Sequence, residues 1–161
     1  MRGVTMEKID WKNLSYYDFI GFVAVTAFLL FVLYFGGLWY ATYDYRIQMR
    51  DQMVEMYKQL PNPIPPIEDD YGVHQRWLVF YIDGVKVLNK PQPENVINEY
   101  RKALEKEGWA AEREYVRNDK NKIYGINMRK GEFILSVSAR ENRDSINIHL
   151  IKRDWIYNKG F

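Results

Sequence analysis

The strongest constraint on this chain is an uncharged, apolar run of 25 residues from Phe19 to Tyr43, bounded by Asp18 and Asp44. An α-helix rises about 1.5 Å per residue, so about 20 residues cross a hydrocarbon core. Aromatic residues, which favour membrane interfaces, flank the run at both ends: Trp11, Tyr16, Tyr17, Trp39, Tyr40, Tyr43 and Tyr45. The run is longer than the apolar core of a signal peptide, about 7–15 residues. The pattern therefore predicts an uncleaved transmembrane helix over residues 19–43, after a short flank over residues 1–18.

The charges beside this run do not decide its orientation, because the two flanks carry equal numbers of basic residues. These are Arg2, Lys8 and Lys12 on one side and Arg46, Arg50 and Lys58 on the other. A short N-terminal flank before a larger C-terminal domain favours a cytoplasmic N-terminus. We expect a single-pass protein of a prokaryotic cytoplasmic (inner) membrane, with an extracytoplasmic C-terminal domain.

The side chains of the predicted transmembrane helix exclude chemistry within it. The run contains no His, Met or charged residue, so it offers no haem ligand, proton relay or ion path. Small residues permit close packing of helices in a bilayer. The candidates for such packing are Gly21, Ala24, Ala27, Gly37 and Ala41. The other interpretation is the ordinary Gly and Ala content of membrane helices.

Two segments connect this helix to the rest of the chain. Residues 44–60 contain neither Gly nor Pro, and their apolar residues recur at helical spacing. They predict a juxtamembrane helical stalk, either solvated or packed against a partner helix. Four prolines within residues 61–66 end that helix and favour a stiff, extended spacer. We therefore expect a linker over residues 61–71 and a domain over residues 72–161.

The pattern of residues 72–161 predicts one helix and several strands. Residues 77–82 predict a buried strand that ends at the turn pair Asp83-Gly84, followed by a short strand over residues 85–88. An apolar stripe from Val96 to Leu104 predicts a helix that ends at Gly108. Alternation over residues 109–151 predicts a four-stranded antiparallel meander. The predicted fold class is a small α+β domain, a two-layer sandwich of one helix on a mainly antiparallel sheet of four to six strands.

One face of the predicted meander is polar. The sequence does not decide whether this face is solvated or contacts a partner. Residues 68–116 carry a net charge of −3 and residues 117–161 carry +5, so the meander could meet anionic headgroups or an acidic partner. Exposed aromatic residues near the C-terminus would favour docking. The domain-contact candidates are Arg140, His149, Trp155, Tyr157 and Phe161.

Catalytic and cofactor-binding patterns are not found in the sequence. The chain has no cysteine and two histidines, His74 and His149, without metal-ligand spacing. A Ser-His-acid arrangement of Ser136 or Ser138 with His149 and Glu112 can be drawn, but it lacks a G-x-S-x-G context. No G-x-G-x-x-G or Walker A sequence is present. We expect no cofactor, no metal and no enzymatic activity, and the net charge of +2 argues against nucleic acid as a partner.

These features together favour an accessory or scaffold subunit of a larger membrane complex. It would act by helix packing in the bilayer and by domain contacts with other membrane subunits, as part of a hetero-oligomer. The alternative is a membrane-tethered sensor or ligand-binding module, which needs a pocket between helix and sheet. The layout of flank, single apolar helix, stalk and small domain broadly resembles that of assembly-platform proteins of secretion and pilus machines. That resemblance lies in the layout alone and rests on no motif.

Overall fold

The first helix, α1, spans Tyr16–Ala41 and contains no buried residue. Its 26 residues give a length of about 39 Å, and it is the one described helix that is long and apolar enough to cross a membrane. The helix ends two residues before the predicted boundary. There the single proton of the Thr42 hydroxyl is shared between Leu38 O at 2.8 Å and Trp39 O at 3.3 Å, and the Thr42 N–H keeps its helical bond to Leu38 O at 3.0 Å.

The computed structural model describes residues 16–76, 79–89, 91–118 and 120–153. The chain divides into two units, Met1–Asp44 and Tyr45–Phe161. The first contains α1. The second contains nearly all of a second helix, a third helix and a six-stranded sheet, and it holds the hydrophobic core.

The second helix, α2, spans Tyr43–Lys58 and differs from the predicted stalk. Met49, Met53 and Tyr57 are buried on it, and Leu60 follows them into the same core. These residues recur every three or four positions and form one apolar stripe. The helix is therefore part of the globular unit, where the stripe packs against the sheet.

The predicted linker is also shorter than expected, because strand β1 spans Glu68–Arg76 and pairs with strand β2, Val79–Val87. The Asp83-Gly84 pair lies inside β2 and makes no turn, so residues 85–87 belong to the same strand. A Cβ atom added at Gly84 would overlap the phenol ring of Tyr57. Glycine is therefore needed at this position to admit the α2 side chain, rather than to reverse the chain.

The four-stranded meander is confirmed. It consists of β3 (Ala110–Asn118), β4 (Lys122–Lys130), β5 (Phe133–Arg140) and β6 (Ser145–Lys152). Strands β1 and β2 extend it into one antiparallel sheet of order β1-β2-β6-β5-β4-β3. The α+β class and the largely antiparallel sheet are therefore as predicted.

The third helix, α3, spans Pro93–Lys106 and buries the predicted stripe, with Val96, Ile97, Tyr100 and Leu104 all buried. Gly108 follows at φ +83°, the left-handed conformation that ends helices. Helix α3 contacts β3, β4 and β5. Tyr57 of α2 contacts β1 through Tyr71 and β2 through Gly84. Two helices, not one, thus cover the apolar face of the sheet.

A buried polar network holds α2 to the sheet. Lys86 is 1 % exposed, and its Nζ lies 3.1 Å from Asp69 Oδ2, donates to Asn62 Oδ1 and lies 5.4 Å from the ring centre of Tyr57. Tyr57 Oη donates to Asp69 Oδ1 at 3.0 Å. Every member has a partner, as a buried network requires to be stable.

Candidate interaction surface

The second face of the sheet is covered by neither α2 nor α3; we call it the uncovered face. Along β5 the residues Leu135, Val137 and Ala139 are buried towards the helices, whereas Ser136 and Ser138 between them are partly exposed. The same alternation in the neighbouring strands assigns these residues to the uncovered face: Tyr81, Asp83, Arg113, Tyr115, Arg117, Asn127, Ser136, Ser138, Arg140, Asn147 and His149. Polar side chains in a broad, flat array are suited to contacts with another macromolecule.

One end of this face carries a cluster of two imidazoles, a phenol and a carboxylate. Asp83 Oδ1 lies 2.6 Å from His149 Nδ1, and Asp83 Oδ2 lies 3.7 Å from His74 Nε2. The Tyr81 ring stacks on His74 at 5.1 Å and contacts His149 at 5.5 Å. Because the residues come from β1, β2 and β6, the sheet register fixes the backbone positions from which these side chains extend. The cluster presents a preorganised aromatic and hydrogen-bonding surface.

The Ser-His-acid arrangement that can be drawn from the sequence differs from the contacts in the structure. Register places Asp83, His149 and Ser136 side by side on β2, β6 and β5, while Glu112 pairs instead with Arg129 Nη1 at 3.2 Å. The His149 ring is bonded to Asp83, and no described hydrogen bond joins it to Ser136. Ser136 also lies within the paired part of a central strand, where backbone N–H groups are bonded in the ladder and cannot form an oxyanion hole.

A basic groove of about 730 Å³ runs from β3 to β6 and adjoins the cluster at His149. Its charged and polar lining includes Arg113, Arg117, Arg153, Asn127, Ser136 and His149. On β3 the two glutamates are neutralised, since Glu112 pairs with Arg129 and Glu114 with Arg101 at 2.6 Å. Among the described residues, neither Arg113 nor Arg117 has an ion-pair partner. Guanidinium groups with free donors bind carboxylates and phosphates in a bidentate manner.

A smaller pocket lies between α3 and the sheet, where the sensor alternative requires one. It has a volume of about 220 Å³ and is lined by residues that include Glu94, Ile97, Glu114 and Tyr124. Pockets for drug-sized ligands are larger, about 300–1,000 Å³. The groove on the uncovered face is therefore the better candidate for binding.

The domain-contact candidates divide into two groups. Arg140 and His149 both lie on the uncovered face, as the alternation predicts. Trp155, Tyr157 and Phe161 lie outside the described residues. Sequence reasoning missed His74, Tyr81 and Asp83. Asp83 was assigned to a turn, and its contact with His149 spans 66 positions, so no local signal reveals it.

The helix-packing candidates of α1 are all exposed, and a Cβ added at Gly21 or Gly37 would meet nothing within 4 Å. At 3.6 residues per turn, the 16 positions between these glycines rotate them about 160° apart around the helix axis. Gly37 and Ala41 lie on one side of α1, and Gly21 lies on another. By the same count Ala27 lies about 40° from Ala41, on the side of α1 that carries Gly37, so the small residues spread over more than half of the helix circumference rather than forming one stripe.

Within the described part of the chain, no group of three or more His, Asp or Glu side chains is arranged to hold a metal ion. Comparisons with protein-family models, with curated proteins and with solved structures found no match to this chain.

Proposed function

We propose that this protein is a membrane-anchored, non-catalytic accessory subunit that binds other proteins of a membrane complex through the uncovered face of its sheet. The observation that supports this most directly is the uneven use of the two sheet faces. One face is packed under α2 and α3, whereas the other carries a His-Tyr-Asp cluster and, adjoining it at His149, a basic groove. A polar face that is shaped and charged in this way is a surface for binding.

In this proposal α1 provides the anchor. It is long and apolar enough to cross a bilayer and has no buried residue, so its whole surface is available for lipid and for other helices. Thr42 is the only residue between α1 and α2, which keeps the connection to the domain short. The proposed location is the inner membrane with the domain outside the cytoplasm. The helix positions the domain, and the domain selects the partner.

The physical basis of partner binding is electrostatic at the groove and polar elsewhere. Unpaired arginines attract an acidic partner, raise its association rate and favour one orientation of docking. The Ser and Asn side chains between them suit the hydrogen bonds and bridging waters of a non-obligate interface. An assembly-platform role in a secretion or pilus machine, which the layout resembles, would be one instance of such a subunit.

The test is extraction of the full-length chain in mild detergent from its native membrane, followed by native mass measurement and identification of co-purifying proteins. The test variant carries Arg140→Glu and His149→Ala on the uncovered face. The matched control is Lys106→Glu, an exposed charge reversal on α3. We expect the wild type and the control to retain the same partners and the test variant to lose them. Purification of the wild type without any other protein would overturn the proposal.

One observation favours a second function, a membrane-tethered receptor for a small anionic ligand. The basic groove has a volume within the range of ligand sites, about 300–1,000 Å³, and it combines arginines with Tyr115 and Asn127. Stabilisation of the purified chain against heat by a small phosphate or carboxylate compound, with loss of the effect in Arg117→Ala, would support this function.

A further inference from the structure

The two edges of the sheet have features that fit each other. Strands β1 and β3 each pair with one neighbour among the described residues, so the outer backbone groups of both strands remain available. Five antiparallel pairings separate the two edges, so β1 and β3 run in opposite directions. A second copy in the same orientation would therefore bring its β1 antiparallel to the β3 of the first, with both uncovered faces on the same side.

The sheet register also aligns the residues of the two edges. Asp70 of β1 and Tyr115 of β3 end the same transverse row, which passes through Val85, Asn147, Ser138 and Gly125. The next row on the same face ends at Glu68, two residues before Asp70, and at Arg117, two residues after Tyr115. When the sheet continues in register into a second copy, Arg117 of one copy lies opposite Glu68 of the next.

The charges at the two edges are opposite and uncompensated. Among the described residues, Glu68 and Asp70 have no ion-pair partner, whereas Asp69 between them is paired with Lys86. At the other edge Arg113 and Arg117 are unpaired, whereas Glu112 and Glu114 are paired with arginines. Opposite charges directly across an antiparallel pair stabilise it, and like charges destabilise it. Pairing of β1 with β3 is therefore favoured over pairing of two β1 strands or two β3 strands.

A bulge between Ala111 and Arg113 limits the regular part of β3. The residues that remain, 113–118, are those aligned with the acidic half of β1. Bulges and charged residues commonly protect edges from non-specific pairing. Here they leave one short segment whose unpaired charges favour an oppositely charged strand.

We propose that copies of this chain associate edge to edge, β1 of one copy with β3 of the next, to form a continuous antiparallel sheet across copies. The contact is heterologous, so it produces a ring if the rotation closes and a row if it does not. Anchoring in one bilayer holds the copies in a common orientation and raises their effective concentration. The association needs no other protein, and its edge residues Arg113 and Arg117 also line the basic groove. Disulfide formation between copies therefore tests it separately from partner binding.

The absence of cysteine from the sequence allows a direct test by disulfide formation. Two full-length chains, one with Glu68→Cys and the other with Arg117→Cys, are tagged differently, co-expressed and oxidised in the membrane. Opposed residues of an antiparallel pair have Cα atoms about 4.5–5.5 Å apart, within the range that a disulfide bridges, about 4.4–6.8 Å. We expect a cross-linked pair carrying both tags, and a ladder of multimers when both cysteines are in one chain.

The control pair combines Glu68→Cys with Lys106→Cys, an exposed position on α3 that lies outside the paired strands. This pair reports cross-linking by chance collision. Equal cross-linking in the test and control pairs would overturn the proposal, even if the chain is oligomeric.

A second measurement uses charge reversal without cysteine. Arg113→Glu with Arg117→Glu should abolish the oligomer, and addition of Glu68→Arg with Asp70→Arg in the same chain should restore it. If the fourfold variant is folded but does not form the oligomer, the proposed pairing of β1 with β3 is wrong.

Discussion

Lys86 Nζ lies 3.1 Å from Asp69 Oδ2, and this ion pair joins an edge strand to its neighbour beneath α2. The other carboxylate oxygen of Asp69 accepts from Tyr57 Oη at 3.0 Å, so one side chain connects β1, β2 and α2. The ammonium group of Lys86 is almost wholly buried, and a buried charge is tolerated only while it is paired. Asp69 therefore adds a polar attachment of α2 to the sheet beside its buried apolar stripe.

Removal of the Asp69 carboxylate by Asp69→Ala should destabilise the domain by about 3 kcal/mol, because breaking a buried pair leaves an uncompensated charge. The measurement is denaturant unfolding of the full-length chain in detergent, followed by tryptophan fluorescence. Asp51→Ala on the exposed side of α2 is the control and should change the free energy of unfolding little. A loss no larger than that of the control would contradict the structural role of the pair.

The close approach of Tyr57 to Gly84 predicts a second stability effect. A Cβ at position 84 overlaps the Tyr57 ring, which is buried and hydrogen-bonded to Asp69, so Gly84→Ala should cost about 1–3 kcal/mol by overpacking. Gly125→Ala is a matched control, because its added Cβ meets the ring of Tyr115 on a partly exposed edge strand. Thermal unfolding should show the larger loss for Gly84→Ala, and the reverse order would count against this account.

The sequence predicts the elements whose periodicity is strong and local. Alternation in β4, β5 and β6 placed Arg140 and His149 on the uncovered face, and a stripe at helical spacing placed α3. Burial on a single face imposes these periods directly. The α+β class and the antiparallel meander could therefore be obtained without a structure.

The elements that differ from prediction depend on contacts between distant residues. Strand β1 is an edge strand with mostly exposed, polar side chains, so no alternating apolar pattern marks it. Helix α2 follows a far more apolar run, and the burial of its stripe depends on a sheet formed later in the chain. The turn expected at Asp83-Gly84 is wrong for the same reason, since the glycine there accommodates a ring from α2.

The stability of the domain should fall in alkaline solution because of two buried phenols. Burial first, then the hydrogen bond to Asp69, raises the pKa of Tyr57, and burial raises the pKa of Tyr100. An unfolded tyrosine ionises near pH 10, so above that pH unfolding releases protons that the folded state retains. The stability present below pH 10 is then lost as the pH rises, by up to about 1.4 kcal/mol per pH unit for each phenol.

The check is denaturant unfolding of wild type and Tyr57→Phe from pH 8 to pH 11. The variant lacks one of the two phenols and should lose stability less steeply above pH 10, although it is less stable at pH 8 because its hydrogen bond to Asp69 is gone. Parallel curves for the two proteins would show that Tyr57 does not contribute.

At neutral pH we expect the removal of the Tyr100 hydroxyl to have the opposite effect on stability to the removal of the Tyr57 hydroxyl. Tyr100 is 1 % exposed, and its hydroxyl has no hydrogen-bond partner among the described residues, whereas Tyr57 donates to Asp69. An unsatisfied buried hydroxyl costs about 1–3 kcal/mol, so Tyr100→Phe should leave stability unchanged or raise it by about 1 kcal/mol. The same substitution at Tyr57 should lower stability, because it removes a satisfied bond and leaves an acceptor oxygen of Asp69 unpaired. The measurement is the denaturant unfolding midpoint of Tyr57→Phe and Tyr100→Phe under the same conditions, since both phenols are buried in one core. A clear loss of stability in Tyr100→Phe would show that its hydroxyl has a partner.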